Sequence, residues 1–242
     1  MTYKIKSIAA DIARLNNRLD GLSPEEIIRW ADRSFAGGLY AASSFGAESA
    51  LLLSAIKKTG ISIPIVTIDT GFWFPETHEF MDRLADEYGL DIRVFSPDKE
   101  DIKRIDKTFL WTDSIESYNR ITKLEPMSRA AEELGIRALL SGARRYQTAG
   151  RSRLRHLEVG NDGEIRIYPF IDWTREEVEK LFRRKELPRH PLYDLGYESI
   201  GDWTITRPGT GRDGRNLGIR NECGLHILPG SNKHFQTIRP TG

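Results

Sequence analysis

Cys223 is the single cysteine among 242 residues, in the polar, glycine-flanked stretch RNECGLH (220–226). A free cysteine is most often a small buried apolar residue, but this setting suits a working thiol. The thiolate is the nucleophile, and flanking cations such as Arg220 and His226 lower a thiol pKa. One cysteine permits neither an intrachain disulfide nor a four-thiolate metal centre. If Cys223 takes up a group it cannot release that group alone. An external dithiol must supply the second sulfur.

Two arginine-rich stretches could serve such a thiol. Arg137 to Arg155 contains six arginines and no acid; from Thr204 onward, five arginines and one lysine face only Asp213 and Glu222. Guanidinium forks in loops suit phosphate or sulfate. A loop with so much like charge is unfavourable unless an anion neutralises it. Arg144, Arg145 and Arg151 in SGARRYQTAGRSR are thus candidate anion contacts, and Lys123, ahead of Glu125-Pro126-Met127, is another. Solvated basic loops are the plainer alternative. The basic–aromatic pattern of nucleic-acid binding is absent.

The elements that would position these groups read as alternating strands and helices. GLYAASS, IPIVTID, DIRVFS, IRALLSG and EIRIYPF read as strands; 47–58, 75–89, 126–135 and 174–186 read as helices, the last capped by Thr174 with Glu177. Ahead of them lie an amphipathic N-terminal helix and a second one opened by Ser23-Pro24-Glu25-Glu26, a capping box with proline at its first position. Such alternation predicts an α/β fold, a mainly parallel twisted sheet with helices on both faces. One large domain over 1–203, with N-terminal helices in 1–36, and a mobile C-terminal tail over 204–242 carrying Cys223 are expected. No apolar run is long enough to span a membrane, and Asp11 interrupts any signal-peptide core, so a cytoplasmic protein is expected.

In such sheets ligands sit beyond the C-terminal strand ends. Three strand ends carry conspicuous chemistry. The first is SSFGAES (Ser43, Ser44, Phe45, Gly46, Ala47, Glu48, Ser49), where small residues and a helix N-terminus would receive an anion. A simple turn and cap is the alternative. The loop has neither Walker nor Rossmann spacing. It resembles the SGGxDS loop of the ATP pyrophosphatase superfamily, with Phe45 and Glu48 altered, and Glu48 argues against magnesium-dependent ATP cleavage. The second is Asp69-Thr70-Gly71, where Asp69 either satisfies turn donors or brings the strand end to an adenine or ribose. The third is SGARR.

Taken in order, SSFGAES, DTGFWFPET, KLEPM, SGARR, YPFIDW, HPLYDLGYESIGD and ECGLH resemble the phosphoadenylyl-sulfate (PAPS) reductase family over roughly residues 38–226. The resemblance implies an adenine nucleotide alpha hydrolase-like fold, a homodimer, and a place in sulfate assimilation and cysteine biosynthesis. It implies that Cys223, with His226 beside it, attacks the sulfur of PAPS and displaces adenosine 3′,5′-bisphosphate. Thioredoxin (or glutaredoxin) would then reduce the S-sulfocysteine and release sulfite. Ser43 to Ser49, Ile68, Lys123, Gly142, Arg144, Arg151, Arg212 and Arg215 would line the nucleotide and sulfate site.

The sister adenylyl-sulfate (APS) reductases hold an iron–sulfur cluster on a CC pair and a CxxC. At the matching places this chain has Tyr118-Asn119 and Asp202-Trp203-Thr204-Ile205, which implies no cluster, no metal and PAPS as substrate. A cluster-free APS reductase is the alternative. A non-catalytic nucleotide-binding module or an adenylating enzyme of the pyrophosphatase type would be further readings, but neither gives Cys223 a task.

Overall fold

The structure, a computed structural model, describes residues 2–160, 163–184 and 187–216. Two helices come first: α1 (Thr2–Leu19) and α2 (Pro24–Ser34). The capping box at α2 forms as its sequence predicts: Ser23 Oγ accepts from the Glu26 amide and Glu26 returns a carboxylate to the Ser23 N–H, at 3.3 and 2.8 Å. Then β1 (Leu39–Ala42), α3 (Ala50–Thr59), β2 (Ile65–Ile68), α4 (Pro75–Tyr88) and β3 (Ile92–Phe95) alternate. Three short helices, α5 (Lys99–Thr108), α6 (Leu110–Asp113) and α7 (Ile115–Asn119), run through a π-helical turn at Arg120–Leu124 into α8 (Glu125–Leu134). β4 (Ala138–Ser141), β5 (Leu157–Val159), β6 (Ile165–Ile167) and α9 (Arg175–Arg183) complete the order.

The six strands form one sheet in the order β3-β2-β1-β4-β6-β5. All neighbours are parallel except β5 and β6. Alternate residues of the central strands feed opposite cores. Leu39, Ala41, Ile65, Ala138 and Leu140 pack with Ile27, Ile28, Leu51, Leu53, Phe80 and Val178 from α2, α3, α4 and α9. On the other face Tyr40, Val66 and Leu139 meet Met127, Ala130 and Leu134 of α8. Helices therefore cover both faces, as the near-continuous apolar strands require.

Three regions depart from the sequence reading. Residues 99–124 read as no element because α5 is mostly charged and buries Ile105 alone; the core it joins depends on Phe72 and Ile205, distant in sequence. β5 is three residues long, and Asn16 of α1 clamps it through bonds to the Leu157 N–H and C=O at 2.8 and 3.0 Å. The tail expected to be mobile from Thr204 is packed as far as Asn216: Thr204, Ile205, Thr206, Arg215 and Asn216 are all buried. Residues 217–242, with Arg220, Cys223 and His226, lie outside the described residues. No described helix is long and apolar enough to cross a membrane.

Candidate functional site

The sheet order reverses between β1 and β4, which lie side by side with Ala42 opposite Ser141. That crossover is where a parallel sheet leaves a crevice at its C-terminal edge. Two of the loops singled out from sequence leave the sheet here: 43–49 after β1 and 142–151 after β4. The third, after β2, is adjacent, since Ser43 donates its N–H to Val66 O at 3.2 Å.

The first loop is tightly specified. Ser43 Oγ accepts from the Phe45 N–H at 3.1 Å, and Phe45 takes a left-handed backbone (φ 46°) while its ring is fully buried against Trp73. A non-glycine residue in that region costs energy, so the buried ring must hold it there. Gly46 lies beneath Ile200, where a Cβ would come within 3.1 Å of the Ile200 carbonyl. Ser49 is the N-cap of α3 with no side-chain cap bond, which leaves the positive end of α3 facing the loop.

Arg144 brings the second loop to the first. Its guanidinium is almost wholly buried, ion-paired to Glu48, and donates to Gly142 O, while its Nε has no hydrogen-bond partner among the described residues. Burial disfavours its charge, and the nearby cations Arg151 and Arg175 act in the same direction. Gln147 links the group: its Nε2 donates to Glu48 at 3.3 Å, and its Oε1 accepts from the Arg144 N–H and from Arg151 Nη1.

Residues 198–215 supply the other wall. Arg215 is buried, donates through Nη1 to Ile200 O at 2.7 Å, and leaves Nε without a partner among the described residues. The same Ile200 carbonyl covers Gly46, so Arg215 and the first loop share a neighbour. Gly201 has no side chain because a Cβ there would strike the Arg215 guanidinium. An open cleft joins Glu48 and Arg212 with Tyr146, Gln147, Arg175, Glu179, Tyr193, Glu198, Ser199 and Gly211. Glu198 accepts from the Gly211 N–H at 2.6 Å and pairs with Arg175, and these bonds hold its carboxyl below the usual range. The glycine-rich turn is thereby fastened to the domain.

Gly46, Glu48, Arg144, Arg151, Arg212 and Arg215 are thus brought together. Ser43, Ser44, Ala47 and Ser49 share the loop with them, and Gly142 starts the facing one. Other expected residues point elsewhere. Arg145 pairs with Asp172 and donates to Leu154 O at 2.7 Å. Arg155 is held by Asp20 and Asn17. The arginine run lacks acids only along the sequence, because Glu48, Asp172 and Asp20 neutralise it from other segments. Asp69, after Ile68 at the end of β2, does turn work: it accepts from the Gly71 N–H at 2.9 Å and lies 3.8 Å from His78 Nε2. The Lys123 ammonium is bound by Asp202 at 2.6 Å and Asn119 at 2.8 Å, over the Tyr118 ring.

Tyr146, Gln147, Arg175, Glu198 and Ser199 went unrecognised as site residues. Tyr146 and Gln147 sit in the arginine loop where the charges dominate the reading, and Glu198 and Ser199 sit inside the quoted HPLYDLGYESIGD. Arg175 carried no signal beyond following a helix cap.

An α/β domain with buried arginines beside an open cleft at its strand crossover is the class that fold and site define. The phosphoadenosine phosphosulfate reductase domain family matches residues 38–208. Curated relatives include the phosphoadenosine 5′-phosphosulfate reductase of Alkalilimnicola ehrlichii, 38% identical over 227 residues (90% of this chain, 92% of the relative). That of Photobacterium profundum is 38% identical over 231 residues (92% and 90%). Among solved structures, the phosphoadenylyl-sulfate (PAPS) reductase of Candida auris, a phosphate complex, superposes with a TM-score of 0.72 at 33% identity, covering 81% of this chain and 96% of that one. The FMN adenylyltransferase of Candida glabrata shares the fold at 17% identity and a TM-score of 0.61. The chain belongs to the phosphoadenosine phosphosulfate reductase family and is an oxidoreductase of that class.

Proposed function

We propose that this protein reduces 3′-phosphoadenylyl sulfate to sulfite and adenosine 3′,5′-bisphosphate with two electrons from reduced thioredoxin. The Cys223 thiolate attacks the sulfuryl sulfur; the S–Sγ bond forms as the sulfur–oxygen bond to the nucleotide breaks, and the bisphosphate leaves. A thioredoxin thiolate then attacks Cys223 Sγ and expels sulfite, and its second thiol resolves the mixed disulfide, so thioredoxin is oxidised as sulfur falls from +6 to +4. The observation that carries this reading is the convergence of Arg144 and Arg215 on the 43–49 loop, each buried and each with an Nε without a partner among the described residues. An anion satisfies those donors, and the substrate bears several negative charges.

The reading also has the reaction proceed without a cluster. At the places of the sister enzymes' cysteines, Tyr118 and Lys123 bind Asp202, Lys123 also binds Asn119, and Ile205 packs into an apolar core, which supports it. The enzyme would work as a cytoplasmic homodimer. Sulfite release from PAPS and from APS, side by side with reduced thioredoxin, tests the assignment. PAPS should be the better substrate, and faster turnover of APS would reassign it. Cys223→Ser should abolish sulfite release while adenosine 3′,5′-bisphosphate still binds. Substrate without reductant should add the mass of SO3 at position 223; normal turnover with serine there would end the proposal.

A further inference from the structure

Glu198 stands in the wall of the open cleft, and one of its carboxylate oxygens serves two partners. Oε2 accepts from the Gly211 N–H at 2.6 Å and from Arg175 Nη1 at 3.0 Å. Arg175 comes from the first turn of α9, and Gly211 from the glycine-rich turn that follows Thr206. All three line the same cleft as Glu48 and Arg212. The Arg175–Glu198 pair is partly open to water, and such pairs add little to global stability. Its effect is local.

The turn is closed at its base by its own backbone. Thr206 bridges Arg215, and the Arg207 N–H donates to Gly214 O at 2.9 Å. A Cβ at Gly214 would strike the Arg207 carbonyl, so only glycine lets the two sides approach. Inside the turn, the Arg215 N–H donates to Arg212 O at 3.0 Å. At the tip, Gly211 takes a left-handed backbone (φ 58°), and its N–H is the group that Glu198 holds. A Cβ there would lie 3.3 Å from Arg175 Nη2, so the tip also sits close against the start of α9. Arg212 is the next residue. Where Gly211 is held therefore sets how Arg212 enters the cleft, and a side chain ordered in advance costs less to immobilise on binding.

Resting on the reaction proposed above, we propose that Glu198 and Arg175 are positioning residues: together they hold the tip of the 207–215 turn against α9 and so present Arg212 to the anionic substrate. Their contribution falls on substrate affinity, because the bonds they make end on the turn that carries a cleft-lining arginine.

Glu198→Ala removes both bonds, whereas Glu198→Gln keeps an acceptor for the Gly211 N–H and loses the charge that holds Arg175. KM for PAPS should rise about tenfold in Glu198→Ala and about threefold in Glu198→Gln, with kcat within about twofold, the mark of lost uniform binding. Arg175→Gln should match Glu198→Gln. In an Arg212→Ala background, Glu198→Ala should change KM by less than about twofold, since its effect runs through Arg212. A merely structural loss would add to that of Arg212→Ala. Additive losses, or a KM in Glu198→Ala within about twofold of wild type, would overturn the inference. Wild-type protein that releases no sulfite from PAPS would instead overturn the assigned reaction, and the same four proteins compared for PAPS affinity by calorimetry would still decide the inference.

Discussion

Arg144 shows how far one side chain can carry a site. A guanidinium buried beside other cations is unfavourable alone. Glu48 neutralises it, the Gly142 carbonyl accepts from its fork, and Gln147 holds its backbone N–H. An arriving phosphate or sulfate therefore meets a donor already oriented, with Nε still to be satisfied among the described residues. Lysine cannot reproduce that geometry, because it offers a point charge where arginine offers a planar fork. Arg144→Lys should weaken adenosine 3′,5′-bisphosphate binding about tenfold, the worth of one charge-assisted contact, as read by titration calorimetry. Unchanged affinity would place the anion elsewhere.

At the scale of elements, helix ends do the positioning. α9 begins at a capping box in which Thr174 Oγ1 accepts from the Glu177 N–H at 3.2 Å and the Glu177 carboxylate returns to the Thr174 N–H at 2.7 Å. Those bonds hold the Glu177 carboxyl below its usual range. The box sets the first turn of α9, and Arg175 at its start reaches Glu198 and the cleft. Thr174→Ala should lower unfolding free energy by about 1 kcal/mol in denaturant titration. Sulfite release should be retained, because Thr174 itself touches no site group. A neutral effect on stability would mean that packing alone, through Val178 and Phe182, sets this helix.

For the molecule as a whole, His190 ties α4 to the segment that leads into the site. Its Nδ1 accepts from the Leu192 N–H at 3.2 Å, so Nε2 carries the proton and donates to Thr77 Oγ1 at 3.0 Å. Burial among Phe80 and its neighbours pushes its pKa down to about 4. The unfolded chain therefore binds a proton at this residue between about pH 6.5 and 4 while the folded chain does not, so acid shifts the balance toward unfolding. The melting temperature should fall through that window. In His190→Gln, lower in absolute stability, the fall should be shallower; an equal slope would assign the acid sensitivity to other groups.

Local patterns made most elements legible in the sequence. Apolar periodicity, the boxes at Ser23 and Thr174 and the glycines after α3, α4 and α8 act within a few residues, so they are written into adjacent positions. The anion-ready loop 43–49 and the arginines were legible for the same reason, since residue type alone states their chemistry. Which arginine pairs with that loop was not. Glu48 selects Arg144 and Asp172 withdraws Arg145, though the two arginines are neighbours. Thr70 and Asp202 meet across 132 residues of chain. An ion pair depends on which groups leave water together, and burial belongs to the folded arrangement of β1, β4 and the last packed segment. The sequence by itself determined the elements and the chemistry on offer; the tertiary structure decided the pairings, because only packing brings distant charges within reach.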